Sequence, residues 1–255
     1  MNNNFMKKNF VVLCLMFLSS LAFAGLSVKP SIVNVAGEPG STYKGSYSLT
    51  STYENPVVVD LNLSNGNSFS GNGELNVEDW LKFEKKEFNL KPGETIDIPY
   101  EVLISTSMKG SVCGRLDFSA QQSSMINLSI SIPMYVTVEG TEDINFEIDS
   151  LNITRNPKDG SLFYKMVIKN TGNVHIRHSG KVQVFDKKKK KEISVVYIDE
   201  TVPTYCEKSR DFNGNISALK KGKYVAVFTI KALGKEVTKE VKFKITKKDI
   251  KILKK

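Results

Sequence analysis

The chain has 255 residues, of which 40% are apolar and 25% are charged, and its formal net charge is +9. This length is enough for two domains of ordinary size, and the composition excludes a disordered chain. After residue 24 no apolar run is long enough to cross a bilayer.

The N-terminal segment has the pattern of a secretory signal peptide. Lys7 and Lys8 precede an apolar run that ends with Ala22 and Ala24 in an A-x-A exit. A basic region, a short apolar region and such an exit predict that residues 1–24 are removed. Retention of the segment as a membrane anchor is the alternative. The protein is therefore expected to be exported, to the periplasm or the cell surface.

Residues 25–139 read as a series of short β-strands separated by turns. The clearest strand has seven apolar residues in strict alternation: Ile126, Leu128, Ile130, Ile132, Met134, Val136 and Val138. A period of two indicates a strand with one buried face. Pro133 lies on the other face and cannot donate to a sheet ladder. The strand is therefore expected to be an edge, to bulge or to change sheets there.

Residues 140–247 repeat this style, and a basic tail follows over residues 248–255. Two consecutive all-β units with frequent turns predict two immunoglobulin-like β-sandwiches. In the second unit, Leu219, Gly222 and Tyr224 have the L-x-x-G-x-Y spacing of a tyrosine corner. In that motif the Tyr hydroxyl bonds to nearby backbone. An ordinary glycine turn before a strand is the alternative.

The charge is unevenly distributed between the two units. Residues 25–140 hold 8 basic and 13 acidic residues, a net −5, whereas residues 141–255 hold 26 and 14, a net +12. A basic half indicates contact with an anionic partner, although a solvated lysine-rich surface has the same composition. The candidate polyanion contact is a lysine run that also reads as a hairpin tip: Lys187, Lys188, Lys189, Lys190 and Lys191.

Both histidines of the chain lie in the segment KNTGNVHIRHSG. His175 and His178 are three residues apart, so in a strand they would point to opposite faces. A zinc site would also need a further protein ligand from elsewhere in the chain. The segment is interpreted as a turn leading to a strand, with Val174 and Ile176 pointing inward and His175 outward. No metal or cofactor is expected.

No motif of a known catalytic site stands out, so no catalytic residue is assigned and the protein is predicted not to be an enzyme. After the signal segment the chain retains Cys113 and Cys206, which fall in different predicted domains. Two cysteines cannot form a disulfide framework or a metal site by themselves. They are expected to be free thiols of weak reactivity.

The order of motifs in the first unit resembles bacterial PapD-like immunoglobulin-fold modules. The resemblance rests on LSVKPSIVNVAGEPGSTYKGSYSLTSTYENPVVVDL, on WLKFEKKEFNLKPGETIDIPYEV with its L-x-P-G-E turn, on KGSVCGRLDF, and on the alternating last strand. It covers nearly all of the first unit. The second unit, through VIKNTGNVHIRHSGKVQVFD, resembles the companion sandwich of exported cell-envelope proteins.

The best-known members of this family are periplasmic pilus chaperones, which lend alternating apolar residues of an edge strand to an incomplete pilin sandwich. These chaperones also anchor a pilin carboxylate with an Arg in the first strand and a Lys in the last. Here the first strand offers only Lys29, and residues 126–138 contain neither Lys nor Arg. A second similar group comprises two-domain Gram-positive surface proteins that bind peptidoglycan and partner proteins.

Two functional hypotheses follow. In the first, the protein binds or helps assemble another envelope protein through sheet edges, in a chaperone-like or scaffold-like way. The partner edge is then formed by Ile126, Leu128, Ile130, Ile132 and Pro133. In the alternative, a structural or adhesive module binds an anionic cell-wall polymer through the basic second domain. Nucleic acid is not an expected partner of an exported chain without aromatic residues among its lysines.

Overall fold

The computed structural model describes residues 25–67, 70–73, 75–123, 126–199, 202–246 and 249–253. The predicted signal peptide, including Ala22 and Ala24, lies outside these residues. Within them, strands make up almost all of the regular structure, and no helix has the length and apolar character to span a membrane. Buried apolar side chains of this part form one cluster in the first domain and one in the second.

The described part of the first domain is a sandwich of two sheets. Its strands are β1 (Leu26–Lys29), β2 (Val33–Gly37), β3 (Thr42–Ser51), β4 (Val57–Asn65), β5 (Leu81–Phe83), β6 (Glu87–Leu90), β7 (Thr95–Leu103), β8 (Ser111–Ser123) and β9 (Ile126–Val138). A 3₁₀ turn (Ser70–Asn72) and a short helix α1 (Val77–Trp80) lie between β4 and β5. The sheet orders are β1–β3–β7–β5 and β2–β9–β8–β4–β6.

The described part of the second domain is also a sandwich. Its strands are β10 (Phe146–Arg155), β11 (Leu162–Asn170), β12 (Ser179–Asp186), β13 (Glu192–Asp199), β14 (Ser209–Ile216), β15 (Gly222–Ala232), β16 (Lys235–Ile245) and β17 (Ile250–Ile252). The small sheet has the order β10–β11–β14, and the large sheet has the order β13–β12–β15–β16–β17. The predicted all-β fold of two sandwiches is confirmed.

Alternating side chains of each strand fill the space between the sheets. In the first domain Tyr47 packs against Phe118 with ring centroids 6.0 Å apart, and both side chains are fully buried. In the second domain Tyr164 and Phe228 make the equivalent contact across the sandwich at 5.5 Å. The inward face of each strand is therefore apolar, as the period-two pattern predicts.

The chain changes sheets between its first two strands. β1 pairs antiparallel with β3 in one sheet, and β2 pairs parallel with β9 in the other. Because β2 begins only at Val33, it reaches β9 from Met134 to Val138 and leaves the earlier part of β9 uncovered. This crossing determines which part of β9 is an edge.

Part of the segment that the sequence analysis assigns to a basic tail over residues 248–255 forms a strand. Ile250 pairs with Ile245, so β17 adds a strand to the large sheet. Between the two strands, the Thr246 N–H donates to the Asp249 carbonyl at 2.9 Å. Three residues are too few to show a strand period, but Ile250 packs against the core and holds the segment in place.

Candidate functional site

The candidate site is the uncovered part of β9. This strand pairs antiparallel with β8 from Ile126 to Thr137. On its other side it pairs with β2 only from Met134 onward, and no described strand pairs with residues 128–133 there. Residues 128–133 of β9 are called the open edge below.

Backbone hydrogen bonds at the end of β9 show which N–H groups point out of the sheet at the open edge. The Val138 N–H donates to the Gly110 carbonyl on the β8 side at 2.8 Å, whereas the Glu139 N–H donates to the Gly37 carbonyl on the β2 side at 2.9 Å. Successive residues of a strand alternate between its two neighbours. Since the register with β8 is unbroken from residue 128 to 137, odd-numbered residues face the open edge.

The backbone N–H groups of Ser129 and Ser131 therefore point into the open edge. No strand of the described residues lies there to accept these hydrogen bonds. Pro133 is also odd-numbered and so faces the open edge. Its missing N–H therefore removes no hydrogen bond from the ladder with β8. Of the three expectations for Pro133, the structure gives the edge position, without a bulge or a change of sheet at that residue.

The apolar face of the open edge becomes more exposed toward its start. Ile132 is buried, Ile130 is partly buried against the first-domain core, and 37% of Leu128 is exposed. Leu128 lies beside Gly25, where an added Cβ would be 3.6 Å from its Cδ2. Ile126, the remaining predicted edge residue, begins the strand, but its side chain is outside the described part. The apolar face of β9 is thus exposed to solvent at this end.

The outward face of the open edge is polar but carries no charge of its own. Ser129 accepts a hydrogen bond from Ser119 at 3.2 Å, and Ser131 donates one to Asp117, both on β8. Sheet edges in natural proteins are usually blunted by charges, bulges or covering segments. In the described residues, the open edge has none of these on its β2 side. Pro133, at the end of the open edge, is a further device that natural edges use.

The second domain packs against the other end of β9. The His175 ring stacks on Tyr135 with centroids 4.5 Å apart, and the Arg177 guanidinium lies 5.0 Å from the same ring. The His175 N–H donates to Ser111 Oγ at 2.8 Å, and the Ser111 N–H donates to the Asn173 carbonyl at 2.9 Å. A cleft of about 460 Å³ lies between the domains beside these residues.

The structure places the two histidines in different environments. Val174 and Ile176 are buried as expected, and His175 points away from its own core but is covered by the first domain. His178 lies inside the second core between the rings of Phe146 and Phe212. Burial lowers the pKa of each histidine to about 4. The sequence pattern does not reveal this interdomain contact, because the partner Tyr135 is distant in the chain.

Cys113 and Cys206 are both free and buried at the domain interface. Cys206 Sγ lies 3.4 Å from Ser111 Oγ. Ser111 and Cys113 are two residues apart on β8, so they share a face. Burial raises the pKa of Cys113 to about 11 and also raises that of Cys206. A thiol with a raised pKa is a poor nucleophile.

The remaining predicted residues lie at one pole of the second domain. The lysine run Lys187–Lys191 forms the tip of the β12–β13 hairpin, where Lys189 has a positive φ of 56°. Lys189 also forms an ion pair with Glu240 of β16. The Tyr224 hydroxyl donates to the Lys220 carbonyl at 2.8 Å, which is the contact that a tyrosine corner makes.

Among solved structures, several chaperones are similar to this chain. No family model and no curated protein matches it. The class 5 fimbriae chaperone CfaA is 16% identical with a TM-score of 0.48, over 87% of this chain and 100% of that one. The CupB2 chaperone of Pseudomonas aeruginosa is 6% identical with a TM-score of 0.43, over 84% and 98% of the two chains.

A third similar structure is the CsuC–CsuE chaperone–tip adhesion subunit pre-assembly complex of Acinetobacter baumannii. It is 14% identical to this chain, with a TM-score of 0.41, and the match covers 85% of this chain and 98% of that one. Each of these three solved structures is a chaperone or contains one.

Proposed function

We propose that the protein is a non-enzymatic, exported protein that binds or helps assemble another envelope protein. In this proposal a strand of the partner adds to the open edge of β9. The observation that carries the proposal is the pair of backbone donors at Ser129 and Ser131, which face a side of the sheet that no described strand occupies. Strand addition draws its affinity from such main-chain groups and its specificity from alternate side chains.

The side chains of the open edge define the kind of partner that fits. Leu128 and Ile130 extend the apolar face of β9 beyond the closed core. A partner segment with alternating apolar residues would continue this face and bury it. The resemblance of the first domain to PapD-like modules implies the same mode of binding. We infer that the partner is an exported protein with an incomplete sheet.

The test uses proline and alanine at the same two positions. Ser129→Pro and Ser131→Pro each remove a donor from the open edge, and proline cannot replace it. Each is expected to keep the thermal unfolding midpoint within a few degrees and to lose capture of the partner from envelope extract at least tenfold. Ser129→Ala and Ser131→Ala keep the backbone donors and are expected to retain capture. The partner is the protein that both alanine variants capture and both proline variants lose.

A proline at the neighbouring position is the folding control. The Ile130 N–H points toward β8, so Ile130→Pro removes a hydrogen bond of the domain's own sheet and is expected to destabilise it by about 3 kcal/mol or more. If Ser129→Pro and Ser131→Pro unfold like Ile130→Pro, their donors serve the domain itself. If both fold and still capture every protein that the alanine variants do, the open edge is not the binding site. Either outcome contradicts the proposal.

A further inference from the structure

Strand register places lysines of three strands directly opposite one another in the large sheet. Lys223 of β15 pairs with Lys244 of β16, which pairs with Lys251 of β17. These three residues form the lysine row. Directly opposed residues share a face with their Cβ atoms about 5 Å apart, and like charges in that position destabilise a sheet. All three side chains are exposed.

The lysine row lacks counter-charges from the protein itself. Among the described residues, no ion pair or hydrogen bond engages the ammonium group of any of the three. Elsewhere in the same domain exposed lysines are paired, as Lys165 is with Asp211 and Lys231 with Glu236. The positive field of the row is therefore directed to solvent.

The lysine run of the β12–β13 hairpin lies over the same face. Lys189 forms an ion pair with Glu240. Glu240, Lys242 and Lys244 alternate along β16 and so point to one side of the sheet. The ion pair thus neutralises Glu240 and holds the hairpin tip, Lys187–Lys191, beside the lysine row. The lysine row and the hairpin tip together form one basic surface.

Exposed aliphatic side chains adjoin this basic surface. The Leu253 N–H donates to the Lys242 carbonyl at 2.8 Å, which continues the β16–β17 pairing and sets Leu253 beside Lys251 on the outer face. Leu253 is 37% exposed. Ile252, which pairs with the core residue Phe243, points to the opposite face of β17 and is 47% exposed at the sheet edge. A soluble polyanion would contact only the lysines of this surface. The boundary of a phospholipid bilayer takes both groups, with ammonium on the phosphates and aliphatic side chains at the acyl chains.

We propose that this pole of the second domain binds the surface of an anionic phospholipid bilayer. The lysine row and the hairpin lysines contact headgroup phosphates, and Leu253 enters the acyl boundary. This interaction is independent of strand binding at the open edge, which lies in the other domain. Each lysine close to an anionic surface contributes a factor of about five in affinity, so the three lysines of the row together contribute about 100-fold.

The test is sedimentation of the exported protein with lipid vesicles, after mass spectrometry verifies that its chain begins at Gly25. Vesicles of phosphatidylcholine containing phosphatidylglycerol are expected to bind it, and vesicles of pure phosphatidylcholine are not. Binding is expected to weaken as salt is raised, because salt screens exposed charges. Absence of binding to the anionic vesicles at low salt overturns the proposal.

Two triple variants with the same change in net charge test whether vesicle binding depends on the lysine row or only on the net positive charge of the protein. K223Q/K244Q/K251Q is expected to lose about 100-fold in vesicle affinity, with a melting temperature equal to or above the original because the like-charge repulsion is gone. K85Q/K169Q/K208Q removes three exposed lysines that lie away from this pole, and it is expected to lose less than about five-fold. Equal losses in the two variants contradict the proposal.

Leu253→Ser and inorganic polyphosphate distinguish a bilayer from a soluble polyanion such as a cell-wall polymer. The substitution is expected to weaken vesicle binding several-fold and to leave binding of polyphosphate unchanged, since it removes only apolar contact. If Leu253→Ser leaves vesicle binding intact while polyphosphate binds as tightly as the vesicles, the surface belongs to a soluble polyanion. The bilayer proposal is then wrong.

Discussion

At the scale of single residues, burial keeps both histidines neutral for separate reasons. His175 is covered by Tyr135 of the other domain, and His178 is enclosed by two aromatic rings of its own core. In each case burial is the main cause of the lowered pKa, and a nearby Arg adds a smaller effect. Neither environment is encoded by the local sequence, because the covering groups come from distant segments.

Stability is expected to fall on mild acidification. The unfolded chain binds protons at its histidines near pH 6.5, whereas the folded chain binds them only near pH 4, so stability is lost as the pH falls through that window. The loss is at most about 3 kcal/mol per histidine. Urea unfolding across this range measures it. His178→Leu is expected to show a smaller loss, and an unchanged pH dependence in that variant would falsify the assignment.

The two thiols are expected to be free but unreactive in the folded protein. Both are buried with raised pKa, which disfavours the thiolate that reacts with alkylating reagents. Iodoacetamide should label neither cysteine of the native protein and both cysteines in urea without reductant. Mass spectrometry counts the labels. Labelling that requires a reductant as well as urea would instead reveal a disulfide.

At the scale of elements, β9 combines a core strand with an exposed one. Its second half lies between β2 and β8, whereas its first half has β8 alone. Strict alternation in the sequence predicts the strand and its apolar face. It does not predict where the edge is open, because that depends on the parallel pairing with β2, near the other end of the domain.

Local sequence also predicts some of the other elements but not those that depend on a neighbouring strand. The β12–β13 hairpin follows from the two strand-like segments that flank the lysine run, and it forms where the sequence predicts it. By contrast, β17 is too short to show a period and exists because β16 offers it an edge. The lysine row likewise depends on register between strands, so no run of consecutive residues reveals it.

Truncations along β9 should reveal the gradient from core to edge. Ile132→Ala removes a buried side chain and is expected to lower the free energy of unfolding by about 2 to 4 kcal/mol. Leu128→Ala, at a partly exposed position, is expected to cost less than about 1 kcal/mol. Chemical denaturation of the two variants compares them directly. Equal costs would mean that the open edge is covered in solution.

At the scale of the whole molecule, the two domains meet through tightly fitted backbone. Gly110 has a positive φ of 63°, and an added Cβ would lie 2.1 Å from the Asn173 carbonyl oxygen. The Gly110 N–H donates to Thr141 Oγ1 at 2.8 Å. The turn before β8 is therefore a contact point between the domains as well as a turn.

Gly110→Ala is expected to separate the unfolding of the two domains. A side chain at positive φ costs about 1 to 2 kcal/mol by itself, and the clash with Asn173 adds to this by displacing the second domain. Calorimetry should then show two transitions in place of one. Gly140→Ala is the matched control, because Gly140 also has a positive φ, 78°, but an added Cβ there meets nothing within 4 Å. If Gly140→Ala also shows two transitions, the clash with Asn173 is not their cause.

The parallel pairing of β2 with β9 also has a consequence for the order in which the chain folds. Val35 and Val136 are adjacent in the sheet although nearly the whole first domain separates them in sequence. Such a contact closes a long loop, and it cannot form during synthesis until the last strand of the domain has emerged. A nascent chain that ends before β9 would therefore hold β2 without its neighbour, and would be a substrate for proteases and holdases until residue 138 arrives.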